Sequence, residues 1–252
     1  KNLENYRNFL KGIGFVLSKG QVLLPRNFNQ ILKKAKQGEF FDAVSQMTLR
    51  SQSQATYSGK NIGHFGLALR RYCHFTSPIR RYSDLFIHRA LISGLELGKG
   101  AAASNPNDIE KIGEHLSTTE RRASAAERDV INRFSAAYLS GKIGDTFSGK
   151  INGVTKFGLF ITLDDINADG LVPIRSLPND YYNFDEKRMA LKGSRNGKIF
   201  HLGMKIQTIL KEANPISGSL LLSLAGSSTP FINSTASKKK KTYKHRKKYK
   251  NL

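Results

Sequence analysis

The chain has 252 residues, a formal net charge of +22, one cysteine and no tryptophan. So large a cationic excess, with a sequence pI near 10.1, points to a polyanionic partner. Nucleic acid is favoured over a membrane, because no apolar run approaches the roughly 18 residues that a spanning helix needs.

A single cysteine excludes an internal disulfide and any multi-cysteine zinc site, and it fits a reducing, cytoplasmic setting. Cys73 beside His74 is expected as a small buried thiol rather than a nucleophile, since neighbours in an extended segment face opposite ways. The length admits two domains that each bury a core. Lys1 opens the chain with no initiator methionine and no signal-peptide pattern after it, which reads as a piece of a longer protein. Charge is spread unevenly: residues 237–252 hold nine Lys or Arg and no acid, so the preceding 236 residues still carry +13.

Leu3, Tyr6, Phe9, Leu10, Ile13 and Leu17 recur at helical spacing over residues 3–17, with Gly12 and Gly14 loosening the end. Pro25 marks a second start, followed by the stripe Phe28, Ile31, Leu32 and Ala35, and residues 40–49 give a third amphipathic helix. These helices read as scaffold. Residues 50–60 are polar and suit a surface loop. Gly63 and Gly66 bracket His64 and Phe65 in a bend that fits either a backbone close to a ligand or a simple turn. His64 has no evident companions for a metal site.

Ser77 is a good N-cap and Pro78 suits a first helical residue, so a helix is expected to start here. Arg80 and Arg81 then fall in a first turn whose unpaired N–H groups already carry partial positive charge, at a cost of about 0.3 to 1 kcal/mol each. That cost suggests a nearby anion. Ile79, Leu85, Phe86, Ile87, Leu91 and Leu95 make the rest of the helix apolar, while Arg80, Asp84 and His88 form a ridge at i, i+4, i+8. One reading is a buried helix in which Arg80 pairs with Asp84. The other is a phosphate clamp, in which Ser77, Arg80, Arg81 and the helix N–H groups grip a nucleic-acid backbone.

Residues 98–106 read as a flexible connection. A short helix is expected from about Asp108, and Ser117-Thr118-Thr119-Glu120 as a capping box opening a long helix that ends near Gly141. On that helix Ala123, Val130, Ile131, Phe134 and Tyr138 form an apolar face with Glu127 at its centre. A carboxylate there needs a partner, and an arginine arriving from elsewhere in the fold suits it. The result is either an ion pair that docks two helices or a carboxylate placed in a site.

From about Ile143 the period falls to 2, with Phe157, Leu159, Ile161 and Leu163 alternating with Gly158, Phe160 and Thr162. Turns at Asp164-Asp165, Asn167, Asp169-Gly170 and Ser217-Gly218 suit a small β-barrel of the OB type. Asp164, Asp165 and Asp169 are explained by turn chemistry better than by a metal. Phe157 and Phe160 lie on opposite faces of an ideal strand, so at least one is core unless a bulge re-aims it. The run Lys238-Lys239-Lys240-Lys241 opens a tail too charged to fold alone. It is expected to bind phosphates without reading sequence.

The run Gly63-His64-Phe65-Gly66-Leu67-Ala68-Leu69, followed by His74-Phe75-Thr76-Ser77-Pro78-Ile79-Arg80-Arg81-Tyr82 and Asp84-Leu85, closely resembles the C-terminal part of the catalytic domain of the RNase II/RNase R (RNB) family, and within it the bacterial ribonuclease R group. Ala126-Glu127-Arg128-Asp129 matches a run whose glutamate lies in the active-site cavity, and Arg80 matches an arginine that holds the RNA 3′-terminal phosphates. The segment containing Tyr57, leading into His64, is by the same resemblance expected to approach the RNA channel. Residues 149–177, with Val154-Thr155-Lys156-Phe157-Gly158-Leu159-Phe160, look like the S-one-type RNA-binding domain of that family. Lys156, Phe157 and Phe160 match its contact surface, and Tyr181 lies in a further stretch found in that group. Pro173 stands where many such domains carry an RNA-contacting histidine, so stacking is expected to rest more on Phe160 and the tyrosines.

The resemblance implies an α+β architecture: a mainly helical C-terminal part of an RNB catalytic domain over residues 1–142, a five-stranded OB-fold barrel over 143–226, and a disordered basic tail over 227–252. It implies the end portion of a processive Mg²⁺-dependent 3′→5′ exoribonuclease, a hydrolase that releases nucleoside 5′-monophosphates from single-stranded RNA. The aspartates that hold Mg²⁺ precede the matching segment in the family, and Asp42, Asp84, Asp108, Asp129 and Asp145 are isolated here. This chain is therefore expected to bind RNA without cutting it or holding metal. It is expected to be a monomer away from membranes, with the ribosome or RNA-decay factors as further partners of the tail. The alternative is a non-enzymatic RNA-binding adaptor.

Overall fold

The computed structural model describes residues 2–20, 22–38, 40–99, 108–178 and 180–226. The predicted basic run at Lys238, Lys239, Lys240 and Lys241 lies outside the described residues.

Helices α1 (Asn2–Gly12), α2 (Pro25–Ala35) and α3 (Phe41–Ser51) turn their apolar stripes toward one another. Tyr6, Phe9 and Leu10 of α1 are buried with Phe28, Ile31 and Ala35 of α2 and Val44 and Met47 of α3. The one polar pair in this core is satisfied: the Tyr6 hydroxyl lies 2.6 Å from Thr48 Oγ1, which donates to the Val44 carbonyl at 2.7 Å. The first helix is shorter than its apolar spacing predicts, because Gly14 takes a φ of +85°. The N–H of Phe15 then closes on the Leu10 carbonyl and that of Gly14 on Lys11, a Schellman stop.

Helix α4 spans Tyr82–Gly94 and α5 spans Ile109–Ser140. The capping box expected at Ser117 is not used, and α5 is a single helix of 32 residues. The Ser117 hydroxyl instead donates to the Gly113 carbonyl inside the helix and accepts the Tyr57 N–H, both at 2.8 Å. A partner from a distant loop has taken the side chain away from capping.

The strands are β1 (Thr146–Thr155), β2 (Gly158–Leu163), β3 (Asp169–Pro173), β4 (Tyr182–Asp185), β5 (Ala190–Gly193), β6 (Ile199–His201), β7 (Lys205–Asn214) and β8 (Ser219–Leu224). Five of them close a barrel in the order β1-β2-β3-β8-β7, with β3 and β8 parallel and β1 pairing β7 to complete the ring. Alternate residues such as Ile151, Leu159, Ile161, Val172 and Leu222 fill it. The predicted barrel is thus present, and between β3 and β7 it carries a three-stranded antiparallel sheet, β4-β5-β6, that the sequence reading did not anticipate. Its strands of four, four and three residues are too short to show a period.

Barrel and helices share one apolar core, with Ala136 and Leu139 of α5 buried where that helix packs on β7 and β8. Arg50 at the end of α3 donates to the Asn152 carbonyl at 2.6 Å, and Lys150 pairs with Asp42 at 2.9 Å. No helix among the described residues is long and apolar enough to cross a membrane.

Candidate nucleic-acid interface

The loop from α3 to α4 is built by aromatic and imidazole rings that bond to one another. Tyr57 Oη lies 2.9 Å from His74 Nδ1, and the two rings meet edge to face at 5.4 Å. Tyr72 packs on His74 at 5.8 Å and on His64 at 4.9 Å. His64 Nδ1 accepts the Leu67 N–H at 3.1 Å, while the His64 and Leu69 backbones exchange a pair of hydrogen bonds. His64 therefore shapes the turn. Gly63 is required beside it: its φ is +80°, and a Cβ there would strike the Leu69 carbonyl.

The expected helix start is displaced. Pro78 to Arg80 form a turn, with the N–H groups of Arg80 and Arg81 on the Ser77 carbonyl, and α4 begins at Tyr82 after an extended Arg81. Asp84 explains the shift. Its carboxylate, fully buried, accepts the Ser77 N–H and the Arg81 Nη2 at 2.8 Å each and the Ser83 hydroxyl at 3.0 Å. Arg81 must leave the helical path to reach it. Burial opposes ionisation of Asp84, but these donors outweigh it and hold its pKa down at about 2. The Asp84 hydrogen bond correspondingly keeps Arg81 protonated.

The proposed partner of Asp84 is thus wrong by one residue: Arg81 takes it and Arg80 does not. Arg80 is exposed on the turn, and its side chain makes no ion pair or hydrogen bond among the described residues. Ser77 is half-buried, and its N–H is donated to Asp84. Ile79 is fully exposed, and Leu91 on α4 and Leu95 just after it are exposed rather than buried as expected. Cys73 is also exposed, against the expectation of a buried thiol, because the loop that carries it lies on the surface.

Glu127 does not meet a buried arginine. It is exposed, as are Val130, Ile131, Phe134 and Tyr138, because the α5 residues buried where the helix packs on the barrel are Ala136 and Leu139. On α5, Glu110 accepts the Ser58 hydroxyl at 3.3 Å, and Glu120 acts on the Tyr57 hydroxyl together with Ser83 and Arg81. Burial is the larger effect there, and it raises the phenol above its ordinary value, so Tyr57 stays protonated. The sequence pattern gives Glu120 only a place in a capping box.

On the barrel, Phe157 sits in the β1–β2 turn rather than in a strand, so strand alternation does not apply to it. It is 67% exposed and Phe160 41% exposed, and both side chains reach solvent. Lys156 Nζ lies 5.1 Å from the Phe157 ring centre. Gly158 makes the turn possible with a φ of +148°, where a Cβ would strike the Val172 carbonyl. A bulge between Ile151 and Gly153 lies beneath Phe160. Asp169 is committed within the barrel, accepting Asn152 Nδ2 at 2.7 Å and the Thr162 hydroxyl at 2.6 Å. Tyr181 lies apart, beside the β4–β6 sheet, and is exposed with Arg195 over its ring.

Among the described residues no three His, Cys, Asp or Glu side chains converge to hold a metal. Asp84 has both carboxylate oxygens taken by protein donors and Asp169 has its Oδ1 taken, so the residues described here do not fit a Mg²⁺ centre.

Residues 1–96 match the RNB domain, and residues 141–198 match the S1 RNA binding domain. The chain is 40% identical over 203 residues to ribonuclease R of Aquifex aeolicus, covering 81% of this chain and 29% of that protein. It is 37% identical over 221 residues to ribonuclease R of Escherichia coli, covering 84% and 27% respectively. The chain carries an RNB and an S1 RNA binding match and is similar to ribonuclease R over more than four fifths of its own length. It spans less than a third of the length of these two ribonuclease R relatives. Ribonuclease R of Mycoplasma genitalium, in complex with ribose-methylated single-stranded RNA, has the same fold over 88% of this chain and 36% of its own, with a TM-score of 0.77 and 29% identity. The ring-built loop with Arg80 lies inside the RNB match, and the Phe157 hairpin inside the RNA-binding match.

Proposed function

We propose that this chain is the RNA-gripping C-terminal part of a processive 3′→5′ exoribonuclease. It holds single-stranded RNA while hydrolysis to nucleoside 5′-monophosphates takes place at a Mg²⁺ centre made by other residues. One observation carries the reading: Arg80, exposed and without an ion pair among the described residues, stands on a turn pinned by Asp84, in the same chain as a barrel whose Phe157 and Phe160 are exposed. The ribonuclease R relative solved with single-stranded RNA supports it.

Arg80 takes the terminal phosphates with a guanidinium that no carboxylate among the described residues neutralises, and steadies negative charge there. Arg81 and Ser77 shape the turn that presents it. Tyr57 and His64 line the RNA path in the same loop, and Glu127 meets the strand from α5. Successive bases stack on Phe157 and Phe160, with Lys156 on the adjoining phosphate. Lys238 to Lys241 add salt-sensitive attraction to the backbone, and ribosomal or RNA-decay contacts belong to the same tail. The chain acts as a cytoplasmic monomer.

The test is incubation of the purified chain with Mg²⁺ and 5′-labelled single-stranded RNA. Retardation without shortening is expected, and Arg80→Ala should weaken it roughly tenfold or more, the loss of a charged hydrogen bond. Shortening from the 3′ end, abolished by Arg80→Ala, would show instead that these residues hold a complete hydrolytic centre.

A further inference from the structure

We infer that the β4–β6 sheet carries a second RNA contact, separate from the barrel hairpin, in which a nucleobase stacks on Tyr181 and Arg195 takes the adjoining phosphate. The inference rests on the RNA-binding reading above.

Tyr181 stands just before the edge strand β4, and Arg195 lies in the turn between β5 and β6. Tyr181 is 74% exposed and Arg195 is exposed, with the guanidinium 5.6 Å from the ring centre. An exposed Arg–Tyr pair is common on protein surfaces. Here, however, the backbones on both sides of the pair are fixed by one carboxylate. Asp180 accepts the N–H groups of Tyr181 at 2.7 Å, Arg195 at 3.1 Å and Asn196 at 2.9 Å. The Asn196 N–H leads, with those of Arg195 and Tyr181, in holding its carboxyl below the ordinary value, so the clasp is intact at neutral pH.

Further bonds tie the same turn to the sheet. Ser194 N–H donates to the Tyr181 carbonyl and Gly193 N–H to the Lys198 carbonyl, both at 2.8 Å. Gly193 leaves no room for a side chain: a Cβ would lie 2.6 Å from Asp180 Oδ2 and strike Asn196 Oδ1. The arrangement holds an aromatic ring and a cation in fixed relation while leaving both in solvent, which is preorganisation for a ligand rather than for packing. Lys192 and Lys198, both exposed on the same small sheet, add positive charge. Lysines are depleted at protein–protein interfaces, whereas aromatic rings set among cations suit a single-stranded polyanion with stackable bases.

The test uses the full chain and a fluorescein-labelled single-stranded oligouridylate of about sixteen nucleotides, the upper end of a barrel's usual site. Anisotropy gives Kd at several salt concentrations. Tyr181→Ala should raise Kd roughly five- to hundred-fold, the loss of one base stack. Tyr181→Phe should bind as the unmodified chain does. Arg195→Ala should weaken binding and reduce the slope of log K against log salt by about 0.7, one phosphate on a single strand. Phe157→Ala combined with Tyr181→Ala should give additive losses in log Kd, as separate sites do.

Unchanged binding in Tyr181→Ala and Arg195→Ala, with Phe157→Ala still impaired, overturns this inference and leaves the RNA-binding reading standing. Equal losses in Tyr181→Phe and Tyr181→Ala overturn the stacking role. Absence of RNA binding by the unmodified chain overturns both readings.

Discussion

Arg80 and Arg81 are adjacent and carry the same charge, yet they occupy opposite physical situations. Arg81 is held by a fully buried carboxylate, whereas Arg80 is exposed and has no carboxylate partner among the described residues. Substitution separates the two. Arg81→Ala leaves Asp84 buried without its cation and should lower Tm, while Arg80→Ala should leave Tm unchanged and act on RNA binding alone. Acid titration gives a second check on the Asp84 centre. Its folded pKa of about 2 lies below the ordinary carboxylate value of about 3.9, so the unfolded chain binds more protons between them. The stabilisation is fully present above the unfolded value and is lost as pH falls from about 4 through about 2. Asp84→Asn should therefore be less stable than the unmodified chain at neutral pH. The gap between their melting temperatures should close over that window, and a constant gap would show that the charge is not what stabilises the turn.

At the scale of elements, α5 shows how a distant loop can reverse a local rule. Gly113 lies inside that helix, where alanine would normally gain about 1 kcal/mol in helix propensity. A Cβ at this position would lie 2.6 Å from the Tyr57 carbonyl oxygen. Gly113→Ala should consequently lower Tm despite its propensity, because a backbone oxygen cannot swing aside as a flexible side chain can. A rise in Tm on thermal denaturation would mean that the Tyr57 segment moves freely away from α5. The same approach lets Ser117 bond to the Tyr57 N–H, and it is why the cap signal at Ser117 does not start a helix.

For the whole molecule, helices and barrel are joined by one apolar core and by polar contacts at Arg50–Asn152 and Lys150–Asp42. Asp42, by its hydrogen bond, also keeps the Lys150 ammonium protonated above its ordinary range. A chain with a shared core unfolds cooperatively. Circular dichroism and tyrosine fluorescence should report one urea transition with a common midpoint. Two separated transitions would show that the helical part and the barrel are independent folding units. The family resemblance also operates at this scale: it is legible in residues 63–69, 74–82, 84–85 and 149–177, and the family matches over residues 1–96 and 141–198 agree with it.

What the sequence determined by itself is what a few neighbouring residues encode. The helical stripes of Tyr6, Phe9 and Leu10, the period-2 barrel strands, and the turns at Asn167, with a φ of +54°, and Gly218, at +70°, all follow from side-chain spacing and local backbone preference. The tertiary structure decided which of two arginines Asp84 captures, which α5 glutamate approaches Tyr57, whether Cys73 is covered, and that Asp180 clasps a turn fifteen residues away. Those outcomes depend on which groups are brought within hydrogen-bonding distance once the chain has closed, and a one-dimensional pattern carries no term for that distance.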